Sequence, residues 1–134
     1  MSLRKFVILA VSTALISVPA LAEDKTPIVS GEDEFMWNCA ECHGFGGRGD
    51  GPLAEVLIKK PSDLTQIAKN NLGVYPADLV FAMISGRNSV MGHQSFQMPR
   101  FWQRFEQVTG ERGFDKPEVR IKAIVDYLAT IQAP

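Results

Sequence analysis

The sequence contains little cysteine and little histidine, and this scarcity argues against a domain stabilised by disulfides or by a structural zinc ion. Only two of its 134 residues are cysteines and only two are histidines. A disulfide between Cys39 and Cys42 would close almost no loop, so it would hardly restrict the unfolded chain. A structural zinc site usually draws four ligands from two separated pairs, and the chain has no second cysteine pair. The composition therefore disfavours a disulfide scaffold and a zinc site.

The chain also lacks an excess of charge of either sign. It carries 14 basic and 15 acidic residues, which give a formal net charge of −1 at pH 7. A nucleic-acid-binding surface usually needs clustered positive charge. This mild and mixed charge does not indicate a nucleic acid as a partner.

Long apolar segments are missing except for one near the N-terminus. Residues 6–18, "FVILAVSTALISV", follow Arg4 and Lys5 and precede the small-residue site that ends at Ala22. A basic start, a short apolar core and such a site are typical of a secretory signal peptide. A membrane-spanning helix needs about 20 apolar residues, although an uncleaved anchor remains an alternative. We predict a signal peptide over 1–22, a single domain over 23–134 without a membrane span, and a periplasmic location.

Strand-like patterns are absent as well, which favours an all-α fold. No segment alternates apolar and polar residues over a useful length. Glycine and proline separate the segments with helical character, and residues 44–52 form a glycine-rich loop. The candidate helices lie over 31–40, 53–60, 63–70, 76–85, 101–108 and 115–131.

The first and last of these helices carry the clearest signals. Ser30 is a candidate N-cap with Asp33 three residues later, and Asp115 with Glu118 resembles a capping pair around Pro117. In the last helix, apolar residues recur at helical spacing. They are Ile121, Ile124, Val125, Leu128 and Ile131.

The two cysteines belong to the motif "CAECH", residues 39–43. On a helix, Cys39, Cys42 and His43 are neighbours on one side, because residues three and four apart face the same way. Two thiols can then add to the two vinyl groups of a haem while the imidazole reaches the iron, and C-x-x-C-H is the attachment pattern of c-type haem. A redox disulfide would instead be expected within a βαβ unit, for which the sequence gives no strands. We therefore predict one covalent haem c, bound through Cys39 and Cys42, with His43 as an axial iron ligand.

A second axial ligand has several candidates in the chain. They are Met36, Met83, Met91, His93 and Met98. Met36 is too close to the attachment helix to cross the ring, and Met83 shares an apolar stripe with Val80 that favours core packing. Met98 lies in the aperiodic segment 87–100, where Pro99 restrains its backbone. Since a thioether is the common partner of histidine in electron-carrying c cytochromes, we predict Met98, with Met91 and His93 as alternatives.

The histidine ligand also needs an acceptor for its second ring nitrogen. A metal-bound histidine normally donates that N–H to a carboxylate or a backbone carbonyl. Pro52 ends the glycine-rich loop nine residues after His43. We expect its carbonyl to be free of any helix and to accept this hydrogen bond.

The residues 23–134 resemble a small bacterial monohaem c-type cytochrome with an N-terminal attachment site and methionine–histidine ligation. The resemblance rests on "GEDEFMWNCAECHG", "GDGP", "MP" and "IVDYLATI", with Gly31 and Phe35 eight and four residues before the first cysteine. It implies a cytochrome c fold, in which four or five short helices wrap around one haem. It further implies that the N- and C-terminal helices pack crosswise, with Ile124, Tyr127 and Leu128 at the contact.

The function expected from these features is single-electron transfer between transient redox protein partners, with iron cycling between Fe(II) and Fe(III). Such a protein is a monomeric carrier and not itself an enzyme. One alternative is a haem c subunit of a larger dehydrogenase, oxidase or sulfur-oxidising complex, which a large exposed apolar patch would favour. Another is a haem protein that binds a gas or peroxide at an open iron site, if Met98 is not a ligand.

Overall fold

A computed structural model of the chain describes residues 29–86, 98–109 and 115–134. The predicted signal peptide 1–22 lies outside these ranges. The described residues form helices and contain no strand, which confirms the all-α prediction. The α-helices are α1 (Gly31–Asn38), α2 (Ala40–His43), α3 (Ile67–Asn70), α4 (Ala77–Ser85), α5 (Phe101–Glu106) and α6 (Pro117–Thr130), and two short 3₁₀ helices span Ala54–Val56 and Leu64–Gln66. None of these helices is both long and apolar enough to cross a membrane.

The first and last helices of this region pack against each other, as predicted. Gly31 makes the close approach feasible, because a methyl group at this position would collide with the backbone carbonyl of Ala123. One turn later the ring of Phe35, which is fully buried, lies 5.3 Å from the ring of Tyr127 in a tilted arrangement. Such aromatic pairs add stability beyond the area they bury. The contact therefore fixes α1, and with it the start of the cysteine motif, against the C-terminal helix.

The helix starts agree only partly with the capping signals of the sequence. The Ser30 hydroxyl accepts a hydrogen bond from the Asp33 N–H at 3.1 Å, which confirms Ser30 as the N-cap of α1. The predicted capping pair of Asp115 and Glu118 is wrong. α6 begins at Pro117, so its N-cap is Lys116, which makes no capping hydrogen bond with its side chain, and Asp115 lies one residue too early. Pro117 fits the first helical position because its missing N–H would have no partner there.

The segment between α2 and α4 is less helical than predicted. The expected helix over 53–60 is reduced to a single 3₁₀ turn, and only Ala54 of this turn is buried. Short helices are marginal without tertiary packing, and Val56 and Ile58 face solvent here rather than a partner. The expected helix over 63–70 becomes a 3₁₀ turn, capped by Asp63, that continues into the four residues of α3.

A hydrophobic core unites α1, α4, α5 and α6. Its largest fully buried apolar side chains are Phe35, Phe101, Phe105, Ile121 and Ile124. The Tyr75 hydroxyl donates to the carbonyl of Val125 at 2.9 Å and thereby ties the segment before α4 to α6. These contacts hold the helices on which the predicted site lies.

The chain end also reaches the loop region beside the cysteine motif. The Gln132 amide donates to the Leu64 carbonyl at 2.9 Å and accepts from the Ala68 N–H at 2.9 Å. The Leu64 N–H in turn donates to the carbonyl of Gly47 at 2.6 Å. The glycine-rich loop is therefore linked, through residues 64–68, to the end of α6.

Candidate functional site

The structure brings Cys39, Cys42 and His43 together on one helical turn, as their spacing predicts. α1 ends at Asn38, two residues earlier than expected, and Cys39 begins the short turn of α2. The carbonyl of Cys39 accepts from the N–H of Cys42 at 3.1 Å and from that of His43 at 2.8 Å. Residues joined by such bonds are neighbours on one side of the turn. Cys39 is buried, and the other two are half-buried.

The glycine-rich loop satisfies the carbonyl groups at the end of this turn. The last carbonyls of a helix have no partner within the helix and must find one elsewhere. Here the N–H groups of Leu53, Gly51 and Gly49 donate to the carbonyls of Glu41 (3.0 Å), Cys42 (3.2 Å) and His43 (2.8 Å), respectively. A side chain at Gly51 would lie 2.5 Å from the Glu41 carbonyl oxygen, so only glycine permits this approach. The loop thus holds the cysteine–histidine turn by its backbone.

The ring of His43 is oriented by a carbonyl that the sequence did not indicate. Its Nδ1 lies 3.0 Å from the carbonyl oxygen of Ser62. The Pro52 carbonyl was expected in this place, but Pro52 is exposed on the loop and the acceptor is Ser62. The reason is the path of the chain. Gly49 packs against the Pro61 carbonyl, and this contact brings Ser62, the residue after Pro61, alongside His43. A backbone acceptor has no side-chain signature, so only the close packing of this loop reveals it.

The hydrogen bond to Ser62 also selects the tautomer of the neutral His43 imidazole. With Nδ1 donating to a carbonyl, the neutral ring keeps its lone pair on Nε2, which is the atom free to bind a metal. Burial lowers the pKa of His43 from its usual value, and the hydrogen bond to Ser62 partly opposes this. The neutral ligand form is therefore favoured at neutral pH.

The electrostatics of Cys39 do not favour thiol chemistry. Burial raises the pKa of Cys39 to about 12, with further contributions from the negative charges of Glu34 and Cys42 against the positive charge of Arg104. Reactive cysteines show the opposite trend, since the thiolate is the nucleophile and its formation requires a lowered pKa. Both cysteines are free thiols in the structure. The raised pKa of Cys39 therefore does not favour a redox-active disulfide.

The predicted second ligand, Met98, lies directly before α5 and is half-buried against the hydrophobic core. The alternatives Met91 and His93 lie outside the described residues. Met36 is also half-buried against the core, whereas Met83 is not buried as the apolar stripe suggested. It is 36% exposed on α4, although Val80 on the same helix is buried.

The chemistry of the donor set fits a haem, and α4 carries exposed apolar side chains besides those it buries. α4 buries Val80 and Ile84 in the core, yet it exposes Leu79 and Met83 on another side. A helix that is apolar on more than one side is normally covered on each of them. Two thiols and a neutral imidazole on one turn match the vinyl groups and the iron of a large apolar macrocycle. Within 29–86, 98–109 and 115–134, no three His, Cys, Asp or Glu side chains are grouped to hold a bare metal ion.

Comparison with known proteins adds no family to this description. No protein-family model matches the chain, and neither the curated proteins nor the solved structures provide a match.

Proposed function

We propose that this chain binds one haem c covalently and carries single electrons between redox proteins. The observation that supports the proposal most strongly is the turn that presents Cys39, Cys42 and His43 together, with the histidine ring held by Ser62. Cys39 and Cys42 would form the two thioether bonds, and His43 would bind the iron. The bound haem would supply an iron centre that alternates between Fe(II) and Fe(III).

The protein would contribute a rigid and preorganised ligand. His43 is fixed by its own turn, by the loop N–H of Gly49 and by the Ser62 carbonyl. The hydrogen bond from Nδ1 of His43 makes its other ring nitrogen, Nε2, a more basic metal ligand. A ligand that does not move when the iron changes charge keeps the reorganisation energy of electron transfer small. A low reorganisation energy suits a protein that only transfers electrons.

Met98 would be the second iron ligand. Its thioether is half-buried against the core, and the following Pro99 restricts its backbone. With both axial positions filled, no position on the iron would be open to a gas or a peroxide. This is why a carrier is favoured over an open-site haem protein, and why we do not propose an enzyme.

The location and the partners follow from the same proposal. The predicted signal peptide would export the chain to the periplasm, where haem c proteins can meet other redox proteins. Electron-transfer partners usually form small and short-lived contacts. We therefore propose a monomer with transient redox partners, and neither a nucleic acid nor a membrane span after cleavage of the signal peptide.

A subunit of a larger oxidoreductase complex is the second candidate, and one observation favours it. Ile58 and Leu72 are each 98% exposed. Large apolar side chains at such exposure are suited to a permanent interface, although scattered ones are common on monomers. Analytical ultracentrifugation of the exported protein distinguishes the two roles: a stable complex with another chain contradicts the free carrier.

The carrier proposal is tested by the visible spectrum of the exported protein and of three variants. The wild type should show a covalent haem and, when reduced, should not bind carbon monoxide rapidly at neutral pH. Cys39→Ser and Cys42→Ser should each leave one thioether, and the double variant should release its haem on acid–acetone extraction. Rapid binding of carbon monoxide to the wild type would contradict filled axial positions and favour the open-site alternative.

A further inference from the structure

A buried ion pair lies beside the cysteine motif, at the contact between α1 and α6. Glu34 is fully buried on α1, and Arg120 on α6 is 6% exposed. The guanidinium donates to both carboxylate oxygens: Nε lies 2.5 Å from Oε1 and Nη2 lies 2.8 Å from Oε2. This fork geometry is the strongest arrangement that an arginine and a carboxylate can adopt. The pair joins residues that are 86 positions apart in the chain.

The surroundings of the pair keep both charges in place. The guanidinium of Arg120 lies over the ring of Phe105 at 3.8 Å, which stabilises the cation. On the other side, the Asn38 amide donates to Glu34 Oε2 at 3.0 Å and to the Glu34 carbonyl at 2.9 Å. The carboxylate thus accepts three hydrogen bonds in a region from which water is excluded.

Removing two ions from water is costly, and an apolar pair of similar volume often stabilises a core equally well. Helix packing at this contact is already provided by Gly31, Phe35 and Tyr127. The charge of the pair is therefore not required for packing alone.

The negative end of the pair is the one that acts on the attachment cysteine. Glu34 precedes Cys39 by five residues, which corresponds to a rise of about 7.5 Å along a helix. Asn38, which holds the carboxylate, is the direct neighbour of Cys39. After burial, the charge of Glu34 is the largest contribution that raises the pKa of this thiol. A group bonded to Cys39 would experience the same field.

We propose that Glu34, held as a buried carboxylate by Arg120 and Asn38, is a positioning residue that sets the reduction potential of the group attached at Cys39. This inference rests on the proposed haem c function. Oxidation of the iron adds one positive charge, so a fixed negative charge nearby favours the ferric state and lowers the potential. Arg120 offsets part of this field and fixes the position of the carboxylate through its two hydrogen bonds.

A purely structural role makes a different prediction. If the pair only held α1 against α6, any change in its geometry would admit water to the core. Water stabilises the more highly charged ferric state, so the potential would fall. The electrostatic role requires the potential to rise when the charge of Glu34 is removed, whether or not the shape of the side chain is kept.

The test compares two substitutions at the same position in the exported holoprotein. Glu34→Gln removes the charge and nearly preserves the shape, whereas Glu34→Asp preserves the charge and disturbs the geometry. At a fixed ambient potential, we expect Glu34→Gln to increase the ratio of reduced to oxidised haem by roughly three- to tenfold. This is the size expected for removing one buried charge close to the group attached at Cys39. Glu34→Asp should stay close to the wild type. Spectroelectrochemical titration measures both ratios.

Asp126→Asn serves as the matched control, because Asp126 belongs to an exposed pair with Lys122 on α6 and its field is screened by solvent. If Glu34→Gln yields too little protein, Glu34→Gln/Arg120→Gln removes both charges and should shift the ratio in the same direction by a smaller factor.

The inference is overturned if Glu34→Asp shifts the ratio as much as Glu34→Gln, or if Glu34→Gln lowers it or leaves it unchanged. A wild-type protein without covalent haem would refute the proposed function and this inference together. That outcome is visible before any variant is compared, so the two failures are distinguishable.

Discussion

Gly31→Ala perturbs the contact between α1 and α6 on which the fold of the site depends. The added methyl group would collide with the backbone carbonyl of Ala123 and press against Tyr127 Cβ at 3.0 Å. A backbone carbonyl within a helix cannot rotate away, so the two helices would have to separate. The ring contact of Phe35 with Tyr127, at 5.3 Å, lies one turn further on and would be loosened by the same movement.

The expected cost follows from two opposing effects. Overpacking of a well-filled core typically costs about 1–3 kcal/mol. Alanine regains up to about 1 kcal/mol over glycine through helix propensity, and less at a first helical position. The free energy of unfolding should therefore fall by about 1–2 kcal/mol, which corresponds to a Tm lower by about 4–10 °C for a domain of this size.

Urea unfolding followed by far-UV circular dichroism measures this loss. Gly46→Ala is the matched control: a methyl group at Gly46 meets only the Arg48 side chain, at 3.8 Å or more, and the backbone there needs no left-handed conformation. This control should change the free energy of unfolding by less than about 0.5 kcal/mol. A Gly31→Ala protein as stable as the wild type would refute the close contact between the two helices.

Further variants test the ligand and two side-chain contacts. Met98→Ala should abolish the iron–sulfur charge-transfer band of the oxidised protein while the haem stays covalently attached, and persistence of the band in its visible spectrum would transfer the ligand role to Met91. Tyr75→Phe removes the hydrogen bond to the Val125 carbonyl and should cost about 1 kcal/mol in urea unfolding at pH 7. Burial, and then Asp126, raise the pKa of Tyr75 to about 12. The folded state therefore favours the neutral phenol, and this stabilisation, complete below pH 10, should be lost as the pH rises towards 12. Tyr75→Phe should lack that alkaline loss, and an equal loss in both proteins would show that Tyr75 is not its source. Lys122→Ala breaks an ion pair whose side chains are 65% and 61% exposed, so its unfolding free energy should change by less than about 0.5 kcal/mol.

Local signals in the sequence predicted the parts of the fold that depend on local interactions. Ser30 caps α1 through its own hydroxyl, and the terminal helix follows from the spacing of its apolar residues. The contact of Gly31 and Phe35 with α6 was expected from the family resemblance rather than from a local signal, and the missing side chain of Gly31 agrees with it. The turn of Cys39–His43 followed from i,i+3 and i,i+4 spacing alone.

The remaining features depend on tertiary contacts that leave little trace in a sequence. The acceptor at His43 is the backbone of Ser62, and its position is set by the packing of Gly49 on Pro61 rather than by either side chain. Glu34 looks like an ordinary first-turn acidic residue until Arg120, 86 residues later, is placed beside it. The segment 53–60 has helix-forming residues but no surface against which to bury them, so propensity alone predicted too much helix.

The most direct test of the account is the haem content of the exported protein, measured as its pyridine haemochrome after extraction with acid–acetone. We expect one haem per chain that resists extraction and shows the reduced α-band of a haem attached by two thioethers, through Cys39 and Cys42. A chain that is exported and folded but holds no covalent haem would contradict the central claim.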